Sequence, residues 1–502
     1  MKRSSSRDLP PLGLLVFVVG SASLGAEIAA ARLMAPFFGA STIVWANTIG
    51  VVLLSLSIGY WLGGRFADRH PHKRGLCTLV LIAALAVGAI PFAADPFLDI
   101  SVDALDDVSA GAFIGSLLGV TVLVAPPVIL LGAVSPYAIR LAVERVEESG
   151  TVAGRMYAIS TIGSLVGTWA SALLLVPLVG TRRTFLIFGL ACALVALPGI
   201  TRRAALAVPA VIVALLALPV GTIKASGEGT VLEEVDTEYQ YARVVEEPDG
   251  RRELELNEGQ AVHSLYRPGS YLTGDIWDEY LVLPFAALAR PPGNVAILGN
   301  AAGTTARALG RYFPQTEVDG VEIDGELTRL GRKWFDMRNP RLRVFHEDAR
   351  PYLRRTDERY DVIMVDAYRQ PYIPFYLTTR EFFELVRDRL RPAGAVVVNA
   401  GHPEGQDDLE KVLAATMEEV FPVVLRDPSE DTNTLILGSR AASAARLRRA
   451  IPRLPPDLRA LAQGTVVRLG PALEGGSVYT DDRAPVEWLI DKSIVEYAAD
   501  GE

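Results

Sequence analysis

The chain has 502 residues, 50% of them hydrophobic and 21% charged, with a mean hydropathy of +0.27, which is too apolar for a chain dissolved in water throughout. The first 221 residues carry 15 basic and 11 acidic side chains and the remainder 34 and 47; the acidic second part excludes a nucleic-acid footprint, which needs a basic stripe, and favours small cationic partners. Cys77 and Cys192 lie far apart in apolar runs, so neither a disulfide framework nor a metal site is expected.

In chain order, apolar runs at about 10–35, 43–64, 76–94, 110–139, 155–179, 184–200 and 204–221 predict about seven transmembrane helices, since a span needs about 20 largely apolar residues. The first is read as a retained span, because no small-residue cleavage site follows it. Lys2, Arg3 and Arg7, then Arg65 to Arg74, then Arg140 to Arg155 flank alternate spans, whereas the loop after the third holds Asp95 to Asp107. The positive-inside rule then places the N-terminus in the cytoplasm. Seven spans would put the second part outside, so a cytoplasmic second part requires that one of the two short last runs not cross or that a further span exist.

Four features mark the apolar part. Glu27 and Arg32 sit within the first run, where ionisable groups are costly. Gly163, Gly167 and Ser171 recur every four residues and predict a close helix contact. Pro126-Pro127 predicts a break or kink in the fourth run. Gly64 to Arg69, followed by Lys73, resembles a short loop signature of major facilitator transporters.

After Gly221 the pattern changes. Tyr239 to Glu246 and Arg252 to Asn257 read as strands around a Pro248-Asp249-Gly250 turn, a small β unit over 222–272. A helix is expected from about Asp275 to Ala289. From Asn294, short apolar runs at 295–298, 318–323, 342–345, 362–365, 395–398, 423–424 and 435–437 alternate with amphipathic stretches. That alternation predicts a doubly wound, mainly parallel α/β domain over 273–440, with ligands at the carboxyl ends of its strands. A helical extension over 441–502 is read as a cap without chemistry.

The strand ends carry the chemistry. Gly299 to Gly303 follows the first strand and opens a helix, where backbone can approach a ligand. Glu322 ends the second strand about 20 residues on, the spacing of an acid that takes a ribose. Asp348-Ala349 follow the third, placed for an adenine amino group, and Asp366-Ala367-Tyr368 end the fourth. Four strand ends in this order read as an adenosyl site.

These residues resemble the spermidine synthase (polyamine aminopropyltransferase) family over most of residues 230–440, and the whole chain resembles its membrane-fused bacterial branch. The resemblance implies an N-terminal multi-pass membrane bundle, a small β unit and a Rossmann-like, methyltransferase-type domain. It also implies transfer of a propylamine group from decarboxylated S-adenosylmethionine, a co-substrate and not a prosthetic group, to an amine. Gln240 matches a donor-binding Gln, and Leu256 to Gln260 a Leu-Asp-Gly turn followed by Gln. Glu322 matches the ribose acid, Asp348 the adenine-binding acid and Asp366 the proposed base.

The acceptor side departs from the family pattern. Ala302 stands where the family has an Asp that holds the donor amine. Arg369 stands for a second Asp and would repel a cationic acceptor by about 1–4 kcal/mol at contact. Trp277-Asp278-Glu279 falls near the Tyr-(His/Gln)-Glu segment, and no Pro-Thr-Tyr segment follows. Trp277, Asp278, Glu279, Tyr368 and Arg369 are the expected substrate contacts, and a homodimer is compatible with the chain. The alternatives are a methyltransferase using intact S-adenosylmethionine, with room beside Ala302 for its carboxylate, and a non-catalytic sensor or transporter of a polyamine or adenosyl ligand.

Overall fold

The computed structural model describes residues 11–38, 42–105, 111–200, 202–218, 229–257, 262–368 and 373–490. It divides into two compact units, one of Met1–Ala225 with Asp236–Tyr241, the other of Ser226–Val235 with Ala242–Glu502.

In the helical unit, six helices are long and apolar enough to cross a membrane: Leu12–Phe38, Val44–Arg69, Lys73–Ala94, Ile114–Ala142, Val146–Val179 and Thr181–Gly199. The expected seventh is shorter. It consists of the 3-10 turn Arg203–Leu206 and an 11-residue helix, Ala207–Ala217, which rises about 16 Å against a hydrocarbon core of about 30 Å. The long spans described therefore number six, not seven.

Prolines shape these helices without breaking them. Single π-helical turns, Val120–Val124 and Ala170–Leu175, come just before Pro126-Pro127 and Pro177. Proline cannot donate to the carbonyl four residues back, and the wider turn accommodates that loss. The break expected at Pro126-Pro127 is thus replaced by one helical span.

The small-residue face does pack as its spacing predicts. A Cβ on Gly163 would strike the Phe17 carbonyl oxygen, and one on Gly167 the Ser21 carbonyl oxygen. Backbones that close allow hydroxyls to bond across: Ser21 Oγ donates to Gly163 O at 2.8 Å and Ser171 Oγ to Gly25 O at 3.0 Å. In an apolar surrounding such packing and hydrogen bonds, rather than water exclusion, hold helices together.

The second unit begins with a four-stranded sheet in the order β1 (Thr230–Asp236), β2 (Tyr241–Glu246), β3 (Arg252–Leu256), β4 (Val262–Tyr266). β2 and β3 form the expected hairpin, closed by Glu247 N donating to Arg251 O, with Gly250 at φ 80°. The expected helix over 275–289 is instead two 3-10 helices, Ile276–Leu281 and Leu283–Ala286, with every residue buried. Pro284 cannot donate to Tyr280, which stops an α-helix there.

The large sheet is built from β5 (Asn294–Leu298), β6 (Glu317–Val321), β7 (Leu342–Phe345), β8 (Tyr360–Val365), β9 (Leu390–Gly401), β10 (Val423–Glu430), β11 (Asn433–Ser439) and β12 (Gly470–Pro471). Its order is β12-β10-β11-β9-β8-β5-β6-β7. β7 to β9 across β6, β5 and β8 run parallel, while β11, β10 and β12 are antiparallel, so the sheet is mixed. Val295, Ile297, Met364 and Val397 face one apolar core and Ala296, Leu298, Ile363 and Val398 the other. Strands covered on both faces read as continuous apolar runs, which is why they were visible in the sequence.

Gly167→Ala is expected to destabilise the helical unit by about 1–3 kcal/mol through overpacking. Gly154→Ala, where a Cβ meets open space, is the control and should not. Thermal unfolding of the purified protein in detergent reads both; equal melting temperatures for the two variants would refute the close-packing account.

Candidate functional site

β5 and β8 are neighbours although β6 and β7 intervene in sequence, so the chain reverses direction across the sheet at that point and a crevice opens beyond the two strand ends. Gly299 stands at the end of β5 with φ 91°, and a Cβ there would collide with the Asp366 carbonyl oxygen. Glycine is required both by the left-handed backbone and by this contact. Asp366 N donates to Leu298 O at 2.9 Å, fixing the end of β8 against the end of β5.

Asp366 is partly buried, and its Oδ1 accepts from Asn399 Nδ2 at 2.9 Å. The Trp277 side chain donates to the same carboxylate. Burial raises the Asp366 pKa above the usual carboxylate value, against the pull of these two hydrogen bonds. Around it stand Tyr280 and Tyr368, both raised in pKa by burial and by the Asp366 charge. The Tyr368 hydroxyl donates to Asn399 O at 2.8 Å and accepts from Gly401 N at 2.7 Å. Tyr280 is 1% exposed, and its hydroxyl finds no partner among the described residues.

Glu322 follows β6 and is buried. It accepts from Ala301 N at 2.8 Å and Asp324 N at 3.0 Å, tying the glycine loop to the next strand. Burial pushes its pKa up to about 7. Asp348 caps the helix Ala349–Arg355 through Arg350 N at 3.0 Å and accepts from the Tyr376 hydroxyl at 2.6 Å. Ala349 is buried behind it. Gly303 has φ 83° and caps the helix Thr304–Tyr312.

Among the described residues, buried amides with unpaired polar atoms include Asn399, through its Oδ1, and two more. Asn257 lies just after β3 at φ 50°, 1% exposed, with both side-chain polar atoms unpaired among the described residues, and Asn300 Oδ1 in the glycine loop is unpaired too. An unmade buried hydrogen bond costs roughly 1–3 kcal/mol, so these groups are suited to polar ligand atoms.

Other expected residues are placed differently. Asp278 is consumed by its own loop, accepting from Thr273 N, Thr273 Oγ1 and Gly274 N at 2.8–3.0 Å. Glu279 accepts from Thr465 Oγ1 at 2.5 Å and from Arg468 at 2.6 Å, and burial pushes it up to about 7. The 3-10 helix turns both carboxylates toward these partners. Ala302 is fully buried in an apolar cluster with Leu256, Leu327 and Phe335, so the space beside it that intact S-adenosylmethionine would need is filled. Gln240 is buried in the segment that groups with the helical unit, its backbone closing a turn on Thr237. Arg369 and residues 258–261 lie outside the described residues.

Several contributors were missed in the sequence. Asn399 ends β9, the next strand of the same series, so its position was readable by continuing the strand-end rule. Glu430 on β10 gave no local signal; it receives a hydrogen bond from Ile276 N and interacts with the charges of Asp275 and Asp278. Asp275 also faces Arg267 and Arg251. The C-terminal extension is not a mere cap, since Arg468 holds Glu279 and Asp427, and Asp481 grips Arg350, the residue two after Asp348, at 2.6 and 2.8 Å.

Residues 278–427 match the family model described as spermine/spermidine synthase domain. A probable polyamine aminopropyl transferase of Bifidobacterium longum (strain NCC 2705) is 32% identical over 283 residues, 52% of this chain and 63% of that protein; the match thus spans less than two thirds of that relative. Polyamine aminopropyltransferase 1 of Streptomyces coelicolor is 25% identical over 527 residues, covering 97% of this chain and 93% of its own length. Among solved structures, a probable spermidine synthase from Corynebacterium glutamicum ATCC 13032 aligns over 50% of this chain and 98% of its own, with 24% identity and a TM-score of 0.38.

Proposed function

We propose that the protein is a membrane-anchored aminopropyltransferase that moves a propylamine group from decarboxylated S-adenosylmethionine to a small amine, with Asp366 as the base. The observation that carries this reading is the position of Asp366: a carboxylate at the switch point of the sheet, oriented by Asn399 and Trp277 and raised in pKa by burial. It stands in one series of strand ends with Glu322 and Asp348, which are read as the ribose and adenine contacts. Asn257 and Asn300, with unpaired amide atoms, complete the donor side of the reading.

In this reaction the acceptor nitrogen attacks the carbon beside the sulfonium, the carbon–sulfur bond breaks, and methylthioadenosine leaves. The acceptor must first lose a proton, which the Asp366 carboxylate takes. Trp277 and Tyr280 offer aromatic faces to a cationic amine. Negative charge for it comes from Asp366 and from Asp275 with Glu430, in place of Asp278 and Glu279, whose oxygens are already engaged.

The six long spans support a topology in which an even number of crossings returns the chain to its starting side. With basic residues around the first span, that side is the cytoplasm, where an adenosyl donor is found. Reporter fusions after residue 225 should be active in the cytoplasm; activity on the outer side would refute this topology.

Incubation with decarboxylated S-adenosylmethionine and putrescine should release methylthioadenosine, and Asp366→Asn should lower that rate by roughly 10²–10⁴-fold. No release above the Asp366→Asn background would refute the putrescine version. The base must be ionised, so activity is lost as pH falls through the Asp366 pKa, at a higher pH than for an ordinary carboxylate. Asn399→Ala removes a hydrogen bond that favours the ionised form and should move this acid limb to still higher pH. A pH–rate profile with an unmoved limb would remove Asn399 from the mechanism.

A further inference from the structure

The helical unit contains a cavity lined by hydroxyls. Ser23 of the first span, Tyr60 of the second, Ser135 of the fourth, and Ser160 and Ser164 of the fifth border it, within apolar walls and a volume of about 30 Å³. Polar groups between apolar helices ordinarily bond to backbone or to one another. Ser164 Oγ donates to Gly20 O at 3.2 Å, and the Ser135 and Ser160 hydroxyls lie 3.4 Å apart. Ser23 Oγ does neither: the residue is 5% exposed and its oxygen has no partner among the described residues.

Glu27 comes four residues after Ser23 on the same 27-residue helix, hence on the same face, one turn beyond the residues that border the cavity. No hydrogen bond or ion pair engages it among the described residues. Arg32, the other ionisable group of the span, donates to the Glu238 carbonyl. Water in the cavity would satisfy Ser23 but leave the carboxylate without a counter-charge, which is costly in an apolar surrounding. A primary ammonium answers both needs, with three N–H donors for hydroxyl oxygens and one positive charge.

We propose that this cavity binds the ammonium group of a small primary amine, with the Ser23 hydroxyl accepting an N–H and Glu27 supplying the counter-charge. The site is distinct from the Asp366 crevice, and its existence does not depend on the transfer reaction.

The test uses the full chain in nanodiscs of zwitterionic lipid, with radiolabelled methylammonium as the probe. Saturable binding is expected, weakened roughly tenfold or more in both Glu27→Gln and Ser23→Val and retained in Asp366→Asn. Release of methylthioadenosine by Glu27→Gln at the wild-type rate shows that this variant is folded. Absence of saturable binding to the wild type, binding unmoved by either cavity substitution, or binding lost in Asp366→Asn would each overturn the proposal, the last by placing the amine in the other unit.

Discussion

The ends of β5 and β8 approach so closely that no side chain fits between them, and the site is organised by that contact. Gly299 meets the Asp366 backbone there, and Asp366 N bonds back to Leu298 O. The consequences run outward along hydrogen bonds. Asp366 is oriented from the neighbouring strand by Asn399, and the glycine loop is bound through Ala301 N to Glu322 on the opposite side. Asp366 and Glu322 are thereby parts of one hydrogen-bonded constellation, the kind of fixed geometry that catalysis by orientation needs. Any change that loosens the glycine contact shifts both carboxylates together.

Close approach of backbone serves the helical unit for a different physical reason. In the soluble unit, apolar strands are sealed on both faces by exclusion of water. Between helices this apolar the drive is weaker, and Gly163, Gly167 and Ser171 add close contact and hydrogen bonds to backbone carbonyls. The same rule makes Ser23 and Glu27 conspicuous: in water an unpaired hydroxyl or carboxylate is ordinary, whereas here each calls for a partner.

Much of the fold was legible in the amino-acid order because its signals are local. Apolar runs of about 20 residues, continuous apolar strands, a Pro-Asp-Gly turn and a glycine-serine repeat each depend only on near neighbours. The failures are equally local in origin. Pro284 converted an expected helix into 3-10 turns, a π-turn absorbed Pro126-Pro127, and the last apolar run proved too short to span. On the donor side, Glu322, Asp348 and Asp366 could be found because strand ends converge in any doubly wound sheet. Asp278 and Glu279 misled because their type and spacing say nothing about which way a 3-10 helix turns them.

By itself, then, the sequence determined the division into an apolar helical part and an acidic α/β part, the strand series, and the acids that stand at the strand ends, since composition, periodicity and spacing are properties of contiguous residues. Tertiary structure alone decided which carboxylates remain available. Thr273 and Gly274 occupy Asp278, Arg468 from the distant C-terminal extension occupies Glu279, and Ala302 is closed in by Leu256, Leu327 and Phe335. Those partners lie up to 189 positions away along the chain, and hydrogen bonding over such separations leaves no trace in local pattern. Only the fold brings Asn399 to Asp366 and Glu430 to Asp275, and with them the charge that a small amine would meet.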